Sequence, residues 1–294
     1  MLNRLFLIWG GKYKLLPQII LIFPEKIRIF VDLFGGGFNV GVNVNAETIV
    51  YNDTCKQVVE LLQNFYVNKT ESIHKAILNT ISDFGLSRSD IHNYEYYGCN
   101  SSEGLGKYNK EKYLKLREDY NTNPDWIKFY TLITCSFSNQ IRFNSKGQFN
   151  LPYGKRDYNL SLQAKLKDFC DLMHTKNIKF TSLDFTQLKV EKLTSKDFVY
   201  LDPPYLGSLA TYNEQKGWNE TEEKALLKLC DKLTEYKVRF ALSNNLKYEN
   251  NILKNWLEEN KEKYITHYLG SQYTNCNYHK KDKSKDIEVL ITNY

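Results

Sequence analysis

Short apolar runs alternate with longer amphipathic stretches along this chain, and the spacing predicts a mixed α/β fold. Near the N-terminus, Lys14 to Ile22 predicts a helix, Arg28 to Phe34 a strand, and Thr48 to Tyr51 a second strand. Val58 to Tyr66 and Lys110 to Asn121 carry helical spacing, with a polar stretch of loop character from Ser87 to Tyr108 between them. Arg142 to Tyr153 alternates around Ser145-Lys146-Gly147, a hairpin signal. Leu162 to His174 is again amphipathic. Strands follow at Lys179 to Leu183 and Phe198 to Leu201, then a helix at Glu222 to Tyr236 and a strand at Arg239 to Ser243. A helix at Ile252 to Glu259 and strands around Tyr264 to Tyr268 and Ile287 to Thr292 close the pattern. The expected organisation is a sheet domain of residues 1–55 and 160–294, split by an insert over 56–159.

Charge sharpens this division. The chain carries a formal +6, and Lys107 to Arg156 alone has ten basic against four acidic residues, a surplus of six. A clustered excess of this kind suits a polyanionic partner. Its helical part, Lys107 to Arg117, reads equally as a solvated face with i,i+4 pairs; Arg142 to Arg156 does not. The six cysteines are scattered with no close pair, and no histidine lies at ligand spacing from another His or Cys. That predicts a reduced, cytoplasmic protein without metal. The apolar run Leu15 to Phe23 is too short to span a bilayer and contains Pro17 and Gln18, so no membrane association is expected.

Two loops carry the candidate chemistry. Asp202-Pro203-Pro204-Tyr205 follows the strand Asp197 to Leu201. Proline fixes φ and lacks an N–H, so this is a rigid corner offering a carboxylate, free carbonyls and an aromatic face. Such a corner suits a flat group bearing an exocyclic NH2, or is simply a proline turn. Phe34-Gly35-Gly36-Gly37-Phe38 follows the first strand, where glycines let a ligand lie against the backbone. Gly41 comes four residues after Gly37, so the dinucleotide fingerprint is not met, and a ligand with a ribose and a short anionic tail fits better. Asp53 ends the next strand, where an acid takes ribose hydroxyls or serves as a turn residue.

The glycine loop, then the basic insert, then the acidic corner occur in the order of alpha-class amino-methyltransferases, and Trp9-Gly10-Gly11-Lys12 resembles their N-terminal motif. Within the insert, Tyr113 to Arg117, Phe137-Ser138-Asn139 through Arg142, Asn144 to Asn150 and Pro152 to Arg156 resemble Dam-type DNA adenine methyltransferases. The resemblance runs from Trp9 to the C-terminal Tyr294. It departs from the family in having one residue fewer between Trp9 and the Gly-Gly-Lys, and in Gln140.

The resemblance implies a Rossmann-like sheet with helices on both faces, which binds S-adenosyl-L-methionine and releases S-adenosyl-L-homocysteine. It also implies a mainly helical target-recognition insert with a β-hairpin. The expected activity is methylation of N6 of a flipped adenine in double-stranded DNA, within GATC, by a monomer or weak dimer in a bacterial or phage-infected cytoplasm. Asp202, Pro203, Pro204 and Tyr205 would be catalytic. Trp9, Gly10, Lys12, Asp32, Phe34, Gly35, Gly37, Asp53, Asp184, Phe185 and Asp202 would meet the cofactor. Ser138, Asn139, Gln140, Arg142, Asn144, Lys146, Pro152, Lys155, Arg156, Tyr212 and Asn213 would meet DNA, with Arg142 and Arg156 suited to guanine edges and Lys146 and Lys155 to phosphates. The corner at Asp202 would also accept cytosine N4, an RNA adenine or a glutamine amide. A DNA-binding regulator without catalysis is the alternative from another class.

Overall fold

The computed structural model describes residues 12–206, 218–246, 251–270 and 288–294. It forms two compact units. One comprises Lys12–Thr54, residues 177–206 and the described part of Trp218–Tyr294; the other is Cys55–Lys176.

The first unit is built on a seven-stranded sheet. Its strands are β1 (Ile29–Asp32), β2 (Thr48–Asn52), β3 (Ile178–Thr181), β4 (Phe198–Leu201), β5 (Arg239–Asn245), β6 (Ile265–Leu269) and β7 (Glu288–Thr292). They lie in the order β3-β2-β1-β4-β5-β7-β6. The first five are mutually parallel, and β7 runs antiparallel to both β5 and β6. All four residues of β4 are buried, as expected of a parallel strand covered on both faces. Strand order reverses between β1 and β4, and in open α/β sheets that switch point is where ligands bind, outside the carboxyl ends of the strands.

Asp197 locks the opposite end of this pair. Fully buried, it accepts from the Arg28 guanidinium at 2.5 Å, from the Ile29 N–H at 3.1 Å and from the Thr194 N–H at 2.8 Å. At the other end Leu33 N–H donates to Tyr200 O at 3.0 Å. The loops after β1 and β4 therefore leave the sheet side by side. The unit's helices are α1 (Leu16–Ile22), α7 (Glu220–Glu235) and α8 (Asn251–Glu259).

The second unit is mainly helical: α2 (Lys56–Val67), α3 (Thr70–Asp83), α4 (Gly106–Thr122), α5 (Trp126–Cys135) and α6 (Leu160–His174). Two of these helices go beyond the sequence expectation. In α3, Ile73, Ile77 and Ile81 are all buried on one face. Each such burial is worth about 1.5–3 kcal/mol. That outweighs a propensity penalty of up to about 0.7 kcal/mol per β-branched residue. Helix α5 is buried on nearly every side, so its sequence shows no amphipathic period. Its start is fixed by Asp125, whose carboxylate accepts from the Ile127 and Lys128 N–H groups at 2.8 and 3.0 Å. The expected hairpin around Ser145-Lys146-Gly147 is present in short form: Phe143 pairs antiparallel with Phe149, Asn144 N–H donates to Gln148 O at 2.9 Å and Asn150 N–H to Arg142 O at 3.1 Å. None of the described helices is long and apolar enough to cross a membrane.

The polar stretch that follows α3 braces the segment Gly154-Lys155-Arg156-Asp157. Asp157 is buried and accepts from the Ser87 hydroxyl and the Ser89 N–H, each at 2.8 Å. Leu105 N–H donates to Lys155 O at 2.9 Å, and the Lys155 ammonium reaches Ser102 O at the same distance. Gly104 has φ +71°, and a Cβ there would lie 2.5 Å from Lys155 O. Gly104→Ala should therefore cost about 1–3 kcal/mol, since a left-handed backbone and a backbone clash coincide. A lowered urea midpoint is the expected result; an unchanged midpoint would show that the contact is not tight.

Candidate active site

The carboxyl ends of β1, β2, β3 and β4 lead into Asp32 and Phe34–Gly37, Asp53, Asp184 and Phe185, and Asp202–Tyr205, residues the sequence offered as candidates. The first three of these ends are held together by Asn52, a residue the sequence did not flag. Its amide donates to Leu33 O and Leu183 O at 3.0 and 2.9 Å, and its carbonyl accepts from Leu183 N–H at 3.0 Å and the Thr181 hydroxyl at 2.8 Å. One buried side chain thus fixes the exits of β1, β2 and β3.

The glycine loop is tight for steric reasons. A Cβ on Gly35 would sit 2.3 Å from the Tyr51 ring, and the Tyr51 hydroxyl donates to Gly36 O at 2.8 Å. Gly36 has φ +47°, and its N–H donates to Asp53 Oδ2 at 2.8 Å. Gly37 follows, buried. Asp32 is buried as well, and its carboxylate accepts from Gly41 N–H at 3.1 Å, bracing the far side of the loop. Burial first, and the neighbouring Asp202 and Asp53 charges after it, push the Asp32 carboxyl up to about 8 against the pull of that hydrogen bond.

Phe34 and Phe185 face each other at 5.5 Å between ring centroids, and Trp218 completes the cluster at 5.8 and 5.6 Å. Trp218 precedes α7, and its indole N–H donates to Glu223 at 2.6 Å. Asp184 is exposed and caps the 3-10 turn Phe185–Gln187, accepting from Thr186 N–H at 2.9 Å.

Beyond β4, Asp202 meets a set of buried polar groups. Lys12 lies with its ammonium 3.4 Å from Asp202 Oδ1 and 2.9 Å from Glu288 Oε2. The Tyr205 hydroxyl donates to the same Glu288 oxygen at 2.9 Å, Lys12 also contacts that hydroxyl, and Asn245 donates to Glu288 Oε1 at 3.1 Å. Burial opposes the Lys12 charge, but Asp202 and Glu288 outweigh it and hold its pKa above the ordinary value. Burial pushes Asp202 up to about 6, with Glu288 adding to the rise and Lys12 opposing it. Glu288 and Asn245 were missed because a Glu and an Asn on sheet strands carry no motif; only the strand pairing brings them here.

In the helical unit, Arg142 donates from Nε to Asn150 Oδ1 at 2.8 Å and from its guanidinium to Asn150 O at 3.1 Å. Asn144 turns the loop by accepting from the Lys146 and Gln148 N–H groups. Lys146, Pro152, Lys155 and Arg156 are exposed. Ser138 is exposed with φ +54°, and Gln140 is half-buried. Asn139 is buried, and its amide donates to Ile133 O and Thr134 O at the end of α5. Trp9, Gly10, Tyr212 and Asn213 lie outside the described residues.

By sequence, residues 9–274 match the D12 class N6 adenine-specific DNA methyltransferases, and the chain belongs to that family. It is 38% identical to type II methyltransferase M.FokI of Planomicrobium okeanokoites and 36% identical to modification methylase StsI of Streptococcus sanguinis. Both alignments cover 97% of this chain and 42% of the relative, so the chain spans less than half the length of these two proteins. A DNA adenine methylase of Salmonella typhi is 24% identical over 83% of this chain and 81% of its own.

The ion-pair geometry gives a direct expectation. Lys12→Met leaves Asp202 and Glu288 facing each other without a cation, so the Asp202 carboxyl should titrate above about 6. Carbon-detected NMR of labelled aspartate would read the shift; a fall on losing Lys12 would contradict the arrangement.

Proposed function

We propose that this chain transfers a methyl group to N6 of an adenine flipped out of duplex DNA, with S-adenosyl-L-methionine as donor. The observation that carries the reading is the Asp202 corner after β4 lying beside the glycine loop after β1, at the sheet's switch point. Family membership supports the base and the position. The names of the more similar relatives support a modification role.

The donor set suits S-adenosyl-L-methionine. We assign the edge formed by Phe34, Phe185 and Trp218 to its adenine, and Asp53 to its ribose. The tight Gly35–Gly37 bend admits close backbone approach, and Asp184 flanks the same edge. Asp32 acts on that loop from beneath through Gly41. When bound, the cofactor supplies an electrophilic methyl carbon on a sulfonium centre.

The remaining chemistry belongs to the chain. Adenine N6 is a weak nucleophile because its lone pair is delocalised into the ring. Asp202 accepts one N6–H and the Pro203 carbonyl the other, which favours a pyramidal nitrogen with its lone pair free. The N6–C bond would form as the methyl–sulfur bond breaks and S-adenosyl-L-homocysteine leaves; the Asp202 charge stabilises the positive charge developing on nitrogen, and the surplus N6 proton passes to solvent. Pro204 keeps the corner rigid. Tyr205 stacks on the extruded base, a contact worth about 1–3 kcal/mol.

For DNA, we assign exposed Arg156 to a guanine edge, and Lys146 and Lys155 to phosphates. Ser138, Gln140 and Pro152 complete the contact loop. Arg142, already bonded to Asn150, together with Asn144 and Asn139, sets that loop's shape and leaves Arg142 a donor for the second guanine or its phosphate. The proposed target is adenine within GATC, resting on the likeness to DNA adenine methylases.

Asp202→Ala should lower methyl transfer by at least about two orders of magnitude while duplex binding persists, because the lost group stabilises the transition state. Tritiated S-adenosyl-L-methionine with plasmid DNA reads this, and comparable turnover would remove the assigned role. Arg156→Ala should relax discrimination by about 1–3 kcal/mol at one guanine. Sequencing of methylated adenines in DNA from a methylation-free host measures it. A motif unchanged by the substitution would exclude Arg156 as a base reader, and a wild-type motif other than GATC would exclude that site alone.

A further inference from the structure

We infer that Glu288 is a positioning residue of the transfer site: it takes up the Lys12 ammonium so that the Asp202 carboxylate remains open to the substrate amine. The inference rests on the reading of Asp202 as the amine's acceptor, and it concerns a residue on the last strand of the sheet, far from every motif.

The geometry is unequal. Lys12 Nζ lies 2.9 Å from Glu288 Oε2, an ordinary hydrogen-bonding distance, and 3.4 Å from Asp202 Oδ1, a longer and weaker contact. Glu288 is held for this task at both oxygens. Asn245, its register partner on β5, donates to Oε1 at 3.1 Å, and the Tyr205 hydroxyl donates to Oε2 at 2.9 Å. Two carboxylates therefore share one ammonium, and the better-anchored carboxylate has it. Asp202 is left with negative charge and unfilled acceptor capacity, which holding an NH2 group requires. A neutral residue at 288 would turn Lys12 toward Asp202, and the incoming amine would then compete with an ammonium for the same oxygens.

Among the described residues, the charged and titratable groups acting on Asp202 are Lys12 from the turn before α1, Glu288 from β7, Tyr200 from β4 and Asp32 from β1, with the Tyr205 hydroxyl bonded to Glu288 and Lys12 beside them. Of these, Glu288 raises the Asp202 pKa and Lys12 lowers it. Replacing Glu288 by a neutral residue removes the first effect and strengthens the second, so both changes act downward.

The test is Glu288→Gln, measured in two ways. In the cofactor-free protein, NMR titration should find the Asp202 carboxyl below its value of about 6. In turnover, kcat should fall about tenfold or more with the KM for DNA little changed, as for loss of acid–base positioning. The acidic limb of the kcat profile should move to lower pH. If Glu288→Gln does not fold, Glu288→Asp gives the same test, because the shorter side chain withdraws from Lys12 and the same downward shift follows. An unmoved Asp202 titration, or an unchanged kcat, in a folded variant would overturn the inference. Full activity in Asp202→Ala would instead overturn the parent reading, so the two failures are distinguishable.

Discussion

Two strands far apart in sequence, β1 and β4, run parallel through three register pairs, Phe30 with Phe198, Val31 with Val199 and Asp32 with Tyr200. The glycine loop and the acidic corner are neighbours only because of this pairing. It is secured at one end by buried Asp197, which binds Arg28 and the Ile29 N–H, and at the other by the Leu33–Tyr200 hydrogen bond. Parallel strands need long crossovers, so the chain is free to insert a helical unit of Cys55–Lys176 between them without disturbing the register. The proposed division of labour between chemistry and target recognition would follow from that freedom.

Electrostatics sets the second constraint. Asp32, Glu288 and Lys12 are buried beside the partly exposed Asp202, and isolated charges in such a region are costly. Each acquires partners: Asp32 the Gly41 N–H, Glu288 the Tyr205 hydroxyl, the Asn245 amide and Lys12, and Lys12 two carboxylates. Asp202 has the loosest arrangement of the four, with the Lys12 ammonium at a long 3.4 Å. An acceptor of intermediate pKa, partly relieved of its cation, is the kind of group that can hold an amine.

Much of this was legible in the sequence because motif residues follow strands. Asp202 and the Gly35 loop were found from the apolar runs before them, and all seven strands of the sheet were anticipated within a few residues. Glu288, Asn245 and Asn52 were not, because their importance comes from register and strand neighbours, which no local window contains. Helix α5 escaped because it is buried nearly all round and so lacks a polar face; α3 was missed as well, although its buried isoleucines recur every four residues. The Ser87–Lys107 stretch had no expected role; it braces the Lys155–Asp157 segment through Asp157 and Gly104, contacts between polar and small residues that leave no periodic trace.

The central claim is that the Asp202 corner holds adenine N6 of DNA for methyl transfer. The most direct measurement is mass spectrometry of nucleosides from unmethylated plasmid incubated with the protein and S-adenosyl-L-methionine. N6-methyladenine is the expected product. N4-methylcytosine, or no methylated nucleoside from folded protein that still binds duplex DNA, would contradict the account.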